Sequence, residues 1–506
     1  MLSIFAAAAL ATAAQAVPCE KLPSLSLPET TITTATVVPA GPFVWPEGAF
    51  RIPGAENEPA PPLPEYCRVT MVLKPTADSH INVELWLPTQ TWNGKFMATG
   101  NGGWAGAIQA YGDMQHALRR GYATAGTDTG HSAADGPLGM FALGHPEKVV
   151  DFAYRAIHLM TERSKQVLTA HYAQPLNYSY YTGCSTGGRQ GVMAAQRYPE
   201  DFDGIIAGAL ANRHIHMHTS AVAEIIRQSR NPATVVPEAK AKLVTNAIMQ
   251  QCDTQHEGFL NNPRQCSFDL ARLQCQSADG PDCLTAAQLE TVKIFYGGIK
   301  NSKGELIFSG AAIGLPLLAQ FNTIVNRQYG SDTNERLTPF IFDTVRILGF
   351  QKPDYDWHDF DLDRDLPLID AKAGFVDAVD PDLKSFKAHG GKLLLYHGWD
   401  DPGIYAENAV LYYNNVLEKL GETQDEWLRL FMVPGMGHCR GGPGPHSFDT
   451  ISALEQWREQ GAAPKQIMGS NPQSGLKRPL CPYPQYAKYD GSGDLKDSGN
   501  WSCAAP

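Results

Sequence analysis

A serine within a Gly-rich turn is the first feature of this sequence that could do chemistry. Residues 183–187 read Gly-Cys-Ser-Thr-Gly and fit the pattern G-x-S-x-G. The residues before it (177–182) predict a strand, and those after it (186–198) predict a helix. A sharp turn between strand and helix exposes a serine hydroxyl at the edge of a sheet, and the helix N-terminus behind it favours negative charge. We therefore predict that Ser185 is a nucleophile; the alternative is a serine in a purely structural turn.

A nucleophilic serine needs a general base, and His438 is the best candidate. It lies in a loop of small residues that follows a predicted strand (428–433). Ser185 directly follows Cys184, and His438 directly precedes Cys439. If these two cysteines pair, their Cα atoms lie about 5.5–6 Å apart. The residues beside them are then close enough for the hydroxyl to donate a hydrogen bond to the imidazole.

The acid that orients the histidine should lie between these two residues, because α/β-hydrolases follow the chain order Ser, Asp, His. Asp400 and Asp401 end a predicted strand in the stretch YHGWDDP (396–402). Either carboxylate could orient the imidazole and stabilise its charged form. The residues alone do not distinguish the two.

Two sets of backbone N–H groups could stabilise an oxyanion. The N–H of Thr186, just after the nucleophile, is one candidate. The segment Gly-Asn-Gly-Gly at 100–103 follows a predicted strand (95–99), and we predict that Gly102 or Gly103 supplies the second N–H. A Gly-rich turn without a catalytic role is the alternative.

The elements that must position these residues alternate along the chain. The sequence predicts strands at 31–38, 68–73, 81–87, 95–99, 393–398 and 428–433. It predicts further helices at 146–169 and 407–420. Such alternation indicates an α/β core with a mostly parallel sheet, and with the nucleophile turn it predicts an α/β-hydrolase fold. Residues 212–382 lack this alternation and are too long for an ordinary connection. We predict that they form an inserted lid domain, and that residues 17–211 with 383–506 form the catalytic domain.

Composition excludes several classes of function. The 506 residues include 41 Lys and Arg against 52 Asp and Glu, a net charge of −11, and no Lys/Arg-rich run. Nucleic-acid binding is therefore not expected. After the N-terminus no apolar stretch reaches about 18 residues, so no internal membrane span is expected either.

The N-terminus and the cysteines predict export. Residues 1–16 contain a short apolar run and end in Ala14-Gln15-Ala16, which is typical of a secretory signal peptide; a buried N-terminal helix is the alternative. All ten cysteines lie after this point, as expected for disulfides in a secreted or periplasmic protein. Their spacing suggests local pairs of 252 with 266, 275 with 283 and 481 with 503. Cysteines 19, 67, 184 and 439 could then connect in three ways.

These motifs together resemble one family. The chain is similar to the tannase and feruloyl esterase family, which also includes the mono(hydroxyethyl) terephthalate hydrolases. The matching stretches are YYTGCSTGGRQG (180–191), YHGWDDP (396–402), VPGMGHC (433–439), NGGWAG (101–106), TDTGH (127–131), YGGIKNSKGE (296–305) and the tail from Cys481 to Cys503.

The resemblance implies a serine esterase without a cofactor, acting on small esters of aromatic acids such as feruloyl or galloyl groups. It implies the triad Ser185, Asp401 and His438, since members commonly read H-G-W-x-D-P. It also implies five disulfides, namely Cys19–Cys67, Cys184–Cys439, Cys252–Cys266, Cys275–Cys283 and Cys481–Cys503.

The sequence departs from the family in the predicted lid. Members usually hold a structural calcium ion in an Asp-rich loop, but here the loop at 252–260 is shorter and lacks most of the carboxylates. Calcium takes six to eight oxygen ligands. Asp253 and Glu257 are too few, so we expect no calcium there.

Three other functions fit parts of the sequence. His214, His216 and His218 alternate, so on a strand they would face one way as zinc ligands, which would suit a metal-dependent hydrolase. The alternative for this stretch is a polar hinge segment. Within the esterase class, a mono(hydroxyethyl) terephthalate-type hydrolase is another candidate. A secreted binding protein on an inactive hydrolase scaffold is the last.

Overall fold

The computed structural model describes residues 15–46, 61–317 and 338–506, so most of the predicted signal peptide lies outside the described residues. The strands are β1 Thr30–Val38, β2 Tyr66–Leu73, β3 Ile81–Pro88, β4 Lys95–Thr99, β5 Ala123–Thr127, β6 Tyr178–Cys184, β7 Gly204–Gly208, β8 Ile299–Lys300, β9 Leu306–Phe308, β10 Lys392–Gly398, β11 Leu428–Val433, β12 Ile467–Ser470, β13 Lys477–Leu480, β14 Tyr486–Tyr489 and β15 Trp501–Ala504. The α-helices are α1 Tyr111–Arg119, α2 Pro146–Val150, α3 Ala156–Tyr172, α4 Thr186–Arg197, α5 His214–Arg230, α6 Glu238–Cys252, α7 Ala286–Gly297, α8 Thr338–Asp343, α9 Leu362–Ala373, α10 Lys384–Ala388, α11 Glu407–Leu420 and α12 Thr450–Gln460.

A nine-stranded sheet forms the centre, in the order β1-β2-β3-β5-β4-β6-β7-β10-β11. The first four strands in this order pair antiparallel. From β5 to β11 every pair is parallel. This is the mixed sheet with helical connections of an α/β-hydrolase, as the alternation predicts.

The burial of the strands explains this division. Every residue of β5 and β7 is buried, as expected for parallel strands covered on both faces. Strand β1 instead buries only Ile32 and Ala35, which suits an outer antiparallel strand with one solvated face. Helix α4 packs directly on the backbone of β7. Gly188 of α4 lies so close to Gly208 of β7 that a Cβ at Gly188 would be 2.2 Å from the Gly208 carbonyl oxygen.

Between β7 and β10 the described chain is mainly helical. Its buried side chains form a second apolar cluster, which includes Val222, Val292 and Leu348 and is joined by Trp104 and Phe152 from the N-terminal half. The boundaries of a lid domain at 212 and 382 stay a prediction.

Residues His214–His218 do not form the strand on which the three histidines would face one way, because α5 begins at His214. The buried residues Ile215, Val222, Ile225 and Ile226 follow helical spacing over a longer window than the five residues of the histidine stretch. Three alternating histidines were too short a pattern to establish a period of two.

The ten cysteines form five disulfides. They join Cys19 to Cys67, Cys184 to Cys439, Cys252 to Cys266, Cys275 to Cys283 and Cys481 to Cys503. These are the pairs that the family resemblance implies. Among the described residues, no helix has both the length and the apolar character needed to cross a membrane.

Candidate active site

The candidate catalytic residues all lie where parallel strands end. The Gly-rich segment 100–103 follows β4, Ser185 follows β6, Asp401 lies in the loop after β10, and His438 lies in the loop after β11. Because parallel strands have their carboxyl ends at one edge of the sheet, residues far apart in sequence meet there. This edge is the candidate active site.

Ser185 occupies a strained turn between β6 and α4. Its backbone has φ 66° and ψ −123°, a region that residues other than glycine rarely adopt. The surroundings hold it there, since its N–H donates to the carbonyl oxygen of Gly208 at 3.1 Å. A Cβ at Gly183 would lie 2.8 Å from the backbone of Gly187, which explains why the turn needs small residues. The serine is thus presented at the end of the sheet as a nucleophile turn requires.

His438 and Asp401 form a hydrogen-bonded pair. Nδ1 of His438 lies 2.8 Å from Oδ2 of Asp401, and Asp401 is fully buried while the histidine side chain is 37% exposed. Oδ1 of Asp401 accepts the backbone N–H groups of Gly403 and Ile404 at 2.8 and 2.9 Å. The imidazole is therefore held at Nδ1 by a fixed carboxylate, and part of the histidine side chain is exposed to solvent.

The charges of the pair support each other. Burial alone would raise the pKa of Asp401, but the hydrogen bonds from His397 and His438 outweigh it and hold this pKa well below its usual range. Burial lowers the pKa of His438, and the hydrogen bond and charge of Asp401 raise it by more. Asp401 is consequently an anion at neutral pH that stabilises a protonated His438.

The neighbouring Asp400 lies in a different environment. Its backbone N–H donates to the carbonyl oxygen of Met436 at 3.1 Å. Burial raises the pKa of its carboxyl to about 7. Of the two aspartates that the sequence left open, Asp401 is the one whose carboxylate contacts the histidine.

The sequence reasoning missed a second histidine on the same carboxylate. Nε2 of His397 lies 3.2 Å from Oδ2 of Asp401 and 2.9 Å from the carbonyl oxygen of Ile404. A carbonyl only accepts, so Nε2 must carry the hydrogen. Nδ1 of His397 is buried and has no hydrogen-bond partner among the described residues. A histidine four residues before an aspartate, at the end of a buried strand, was the available signal.

A disulfide brings the serine and histidine loops together. Cys184 and Cys439 are joined with their Cα atoms 6.0 Å apart. Ser185 and His438 are the residues next to these cysteines. The bridge therefore fixes the two loops side by side, although they are far apart along the chain.

The predicted oxyanion segment packs directly on the nucleophile turn. The hydroxyl of Thr186 donates to the carbonyl oxygen of Gly103 at 2.6 Å, and the N–H of Gly187 donates to that of Asn101 at 2.6 Å. Thr186 is the first residue of α4, where a backbone N–H has no partner within the helix. Its N–H and those of Gly102 and Gly103 thus lie in adjoining segments.

The N–H of Gly102 is already engaged. It donates to the carboxamide oxygen of Gln109 at 2.6 Å, and the Gln109 nitrogen donates to the carbonyl oxygen of Ala105 at 3.2 Å. The Gly102 N–H can donate a hydrogen bond to an oxyanion only after the Gln109 oxygen has moved away. Sequence reasoning did not single out Gln109.

A second glutamine holds the other end of the segment. Gln190, on α4, accepts the backbone N–H of Asn101 at 3.0 Å and donates to the Asn101 side chain at 3.2 Å. Both side chains are buried. Gln190 lies one helical turn after the nucleophile turn, which could have indicated this role.

The histidine stretch on α5 has other partners. The rings of His214 and His218 lie on one face with centroids 4.2 Å apart, whereas His216 contacts the carboxylate of Asp370 at 3.1 Å. Nδ1 of His218 lies 2.7 Å from the hydroxyl of Thr344. Within residues 15–46, 61–317 and 338–506 no group of three or more His, Cys, Asp or Glu side chains is arranged to hold a metal ion.

Comparison with known proteins shows the family of this chain. Residues 67–504 match the sequence profile of the family described as tannase and feruloyl esterase. The chain belongs to the tannase and feruloyl esterase family. It is accordingly a carboxylic ester hydrolase of the tannase and feruloyl esterase type.

Individual relatives agree with this assignment. The chain is 35% identical to an uncharacterised esterase of Xanthomonas campestris, covering 93% of this chain and 88% of that protein. It is 32% identical to a probable feruloyl esterase B-2 of Aspergillus fumigatus, covering 87% and 86% respectively. Its fold superposes on the crystal structure of feruloyl esterase B from Aspergillus oryzae with a TM-score of 0.84 and 28% identity, covering 96% of this chain and 100% of that one.

Proposed function

We propose that this family member is a secreted serine esterase that hydrolyses esters of aromatic acids through an acyl-enzyme. The Ser185 hydroxyl attacks the ester carbonyl while His438 takes its proton, and Asp401 orients the imidazole and stabilises its positive charge. The alcohol leaves with the proton from His438. Water, activated by the same histidine, then attacks the acyl-enzyme and releases the acid.

The contact between Asp401 and His438 carries this proposal. A buried carboxylate 2.8 Å from Nδ1 leaves Nε2 as the nitrogen that accepts a proton. A second support is the Cys184–Cys439 bridge, because Ser185 and His438 are the residues next to its two cysteines.

Backbone N–H groups stabilise the oxyanion in this mechanism. Thr186 supplies one N–H, and Gly102 or Gly103 supplies the other. The hydrogen bonds of Thr186 and Gly187 to the 101–103 segment keep the two sources in fixed positions. No cofactor takes part in any step.

The substrate class rests on the family and on the surroundings of the oxyanion segment. Among the relatives are probable feruloyl esterases B-2. The ring of Phe340 lies against Gly103, since a Cβ there would be 3.3 Å from Cε2 of Phe340, and the indole N–H of Trp104 donates to the carbonyl oxygen of Phe340 at 2.9 Å. Aromatic rings beside the reacting carbonyl favour a small ester with a planar aromatic acyl group.

Export is part of the proposal. The chain has five disulfides. Disulfides persist in oxidising compartments and are rare in reducing ones. The predicted signal peptide at 1–16 supports the same location, outside the cytosol.

The deciding experiment compares wild type with Ser185→Ala on methyl ferulate, methyl gallate and mono(hydroxyethyl) terephthalate. We expect the wild type to hydrolyse an aromatic-acid ester and the variant to lose at least about a thousandfold in kcat. Ser220→Ala is the matched control, because the buried Ser220 hydroxyl has no hydrogen-bond partner among the described residues. A Ser185→Ala enzyme as active as this control refutes the mechanism, and the preferred ester decides between the three acyl classes.

A further inference from the structure

A buried arginine side chain from β13 binds the loop that follows α6. Arg478, on β13, is fully buried, and both of its terminal nitrogens donate to the carboxylate of Glu257, at 3.0 and 2.7 Å. Its Nη1 also donates to Oδ1 of Asn261 at 2.7 Å. The guanidinium lies 3.5 Å from the ring centroid of Trp501. A bidentate ion pair of this geometry is strong, and it is shielded from water on both sides.

The oxygen atoms of this loop are accordingly occupied. The carboxylate of Asp253 accepts the backbone N–H groups of Glu257 and Gly258, at 3.1 and 2.8 Å. The carboxylate of Glu257 is taken by Arg478. Calcium needs six to eight oxygen ligands, and a guanidinium beside Glu257 repels a divalent ion. The residues present do not fit the calcium ion that the family resemblance implies for this segment.

The same loop contacts the loop of the catalytic base. Phe259 lies two residues after Glu257, and a Cβ at Gly435 would lie 2.6 Å from Cγ of Phe259. Gly435 precedes His438 by three residues and has φ 63°. The Phe259 ring therefore fills the space beside a backbone position that only glycine suits.

We propose that the Arg478 guanidinium is the fixed internal cation of the 253–261 loop in place of a metal ion, and that through Phe259 it supports the loop carrying His438. The first part of this proposal, that Arg478 replaces a metal ion, is independent of the reaction. The second part, the support of the His438 loop, rests on the proposed function, since it assumes that His438 is the catalytic base.

The first test is thermal unfolding of four proteins: wild type, Arg478→Met, Glu257→Gln with Arg478→Met, and Lys242→Met. Arg478→Met leaves Glu257 buried without a counter-charge, so we expect Tm to fall by about 5 °C or more. The double variant removes the stranded charge and should recover a large part of the loss. Lys242→Met is the matched control, because it removes the cation of the Glu238–Lys242 ion pair, whose two side chains are 58% and 59% exposed.

The second test concerns the cation itself. Wild type purified from calcium-containing buffer should hold less than stoichiometric calcium by metal analysis, and its Tm should not respond to calcium or EDTA. Methylguanidinium at a concentration that leaves the wild-type Tm unchanged should raise the Tm of an Arg478→Ala variant. One calcium ion per chain in wild type, or a double variant no more stable than Arg478→Met, overturns the proposal.

Activity is measured on the same set of proteins. We expect kcat on the best ester to fall in Arg478→Met by more than in Lys242→Met, with recovery in the double variant. Unchanged kcat in Arg478→Met at a temperature where it is folded overturns the link to His438. Failure of the proposed function is distinguishable, because it appears in Ser185→Ala and leaves the Tm and metal results unaffected.

Discussion

Cys184 and Cys439, which lie 255 positions apart in the sequence, are joined by a disulfide with a Cα separation of 6.0 Å. Cys184 is the last residue of β6 and directly precedes the proposed nucleophile Ser185, and Cys439 directly follows the proposed base His438. The bridge therefore fixes the positions of these two loops relative to each other. The sheet is stabilised separately, by hydrogen bonds and a large apolar core.

Removing this bridge should affect activity before it affects the fold. In Cys184→Ala with Cys439→Ala we expect kcat to fall at least about tenfold, because small displacements of catalytic groups are costly. The matched control is Cys275→Ala with Cys283→Ala, which opens a bridge over only 8 positions. Reduction of wild type, followed by activity, circular dichroism and thiol mapping, checks the order of events. Full activity with free thiols at both positions would contradict the prediction.

The engaged N–H of Gly102 gives a test of the oxyanion segment. Gln109→Glu places a negative charge where the oxyanion would form, so we expect kcat to fall at least about tenfold with little change in KM. Gln109→Ala removes the competing oxygen and should reduce kcat much less. Steady-state kinetics on one aromatic ester compare the two variants. If Gln109→Glu keeps wild-type kcat, Gly102 does not contribute to the oxyanion hole.

His397 should act as a positioning residue for Asp401. In His397→Phe the carboxylate loses one N–H donor, and we expect kcat to fall about tenfold with KM unchanged, which corresponds to the loss of a hydrogen bond to a charged group. His397→Gln keeps an N–H that can donate and should retain most of the activity. Comparable losses in both variants, or a change confined to KM, would assign His397 a packing role only.

The pH dependence of kcat/KM follows from the same pair. His438 must be unprotonated to accept the Ser185 proton, so the rate should rise with pH through the pKa of His438, which lies above the usual 6.5. In Asp401→Asn the hydrogen bond to a carboxylate and its charge are lost while burial remains. We expect the acid limb to move to lower pH and kcat to fall about a thousandfold or more. An acid limb at the same pH in both enzymes would mean that His438 is not the titrating base.

The same pair links stability to pH. The raised pKa of His438 adds stability below the pKa of an unfolded histidine, and this is lost as pH rises through the folded value. The lowered pKa of Asp401 adds stability above the pKa of an unfolded aspartate, and this is lost as pH falls. The pair therefore stabilises the fold most between the two unfolded values. Urea unfolding at several pH values, with Asp401→Asn as comparison, measures its contribution.

Local sequence was sufficient for the elements that carry the site. The strand–turn–helix around Ser185 could be predicted from its G-x-S-x-G turn, and the helix Glu407–Leu420 and the strand Leu428–Val433 could be predicted from their apolar patterns. The conformation of His214–His218 could not be predicted, because five residues do not define a period. The choice between Asp400 and Asp401 could not be made from the residues alone, because neighbouring residues in a loop have no periodicity that fixes their direction. Only the family resemblance favoured Asp401.

The sequence by itself indicated the chemistry that we propose, through a serine in a G-x-S-x-G turn, a histidine beside a cysteine and ten cysteines suited to an oxidising compartment. The tertiary structure showed that Asp401 contacts His438, as the family resemblance implied. It alone showed that His397 contacts the same carboxylate, that Gln109 accepts the N–H of Gly102, and that Arg478 pairs with Glu257. The physical reason is the distance along the chain over which each interaction acts. Turn strain and apolar periodicity act over a few residues, whereas a hydrogen bond between groups tens or hundreds of positions apart depends on how the parallel strands and their loops pack together.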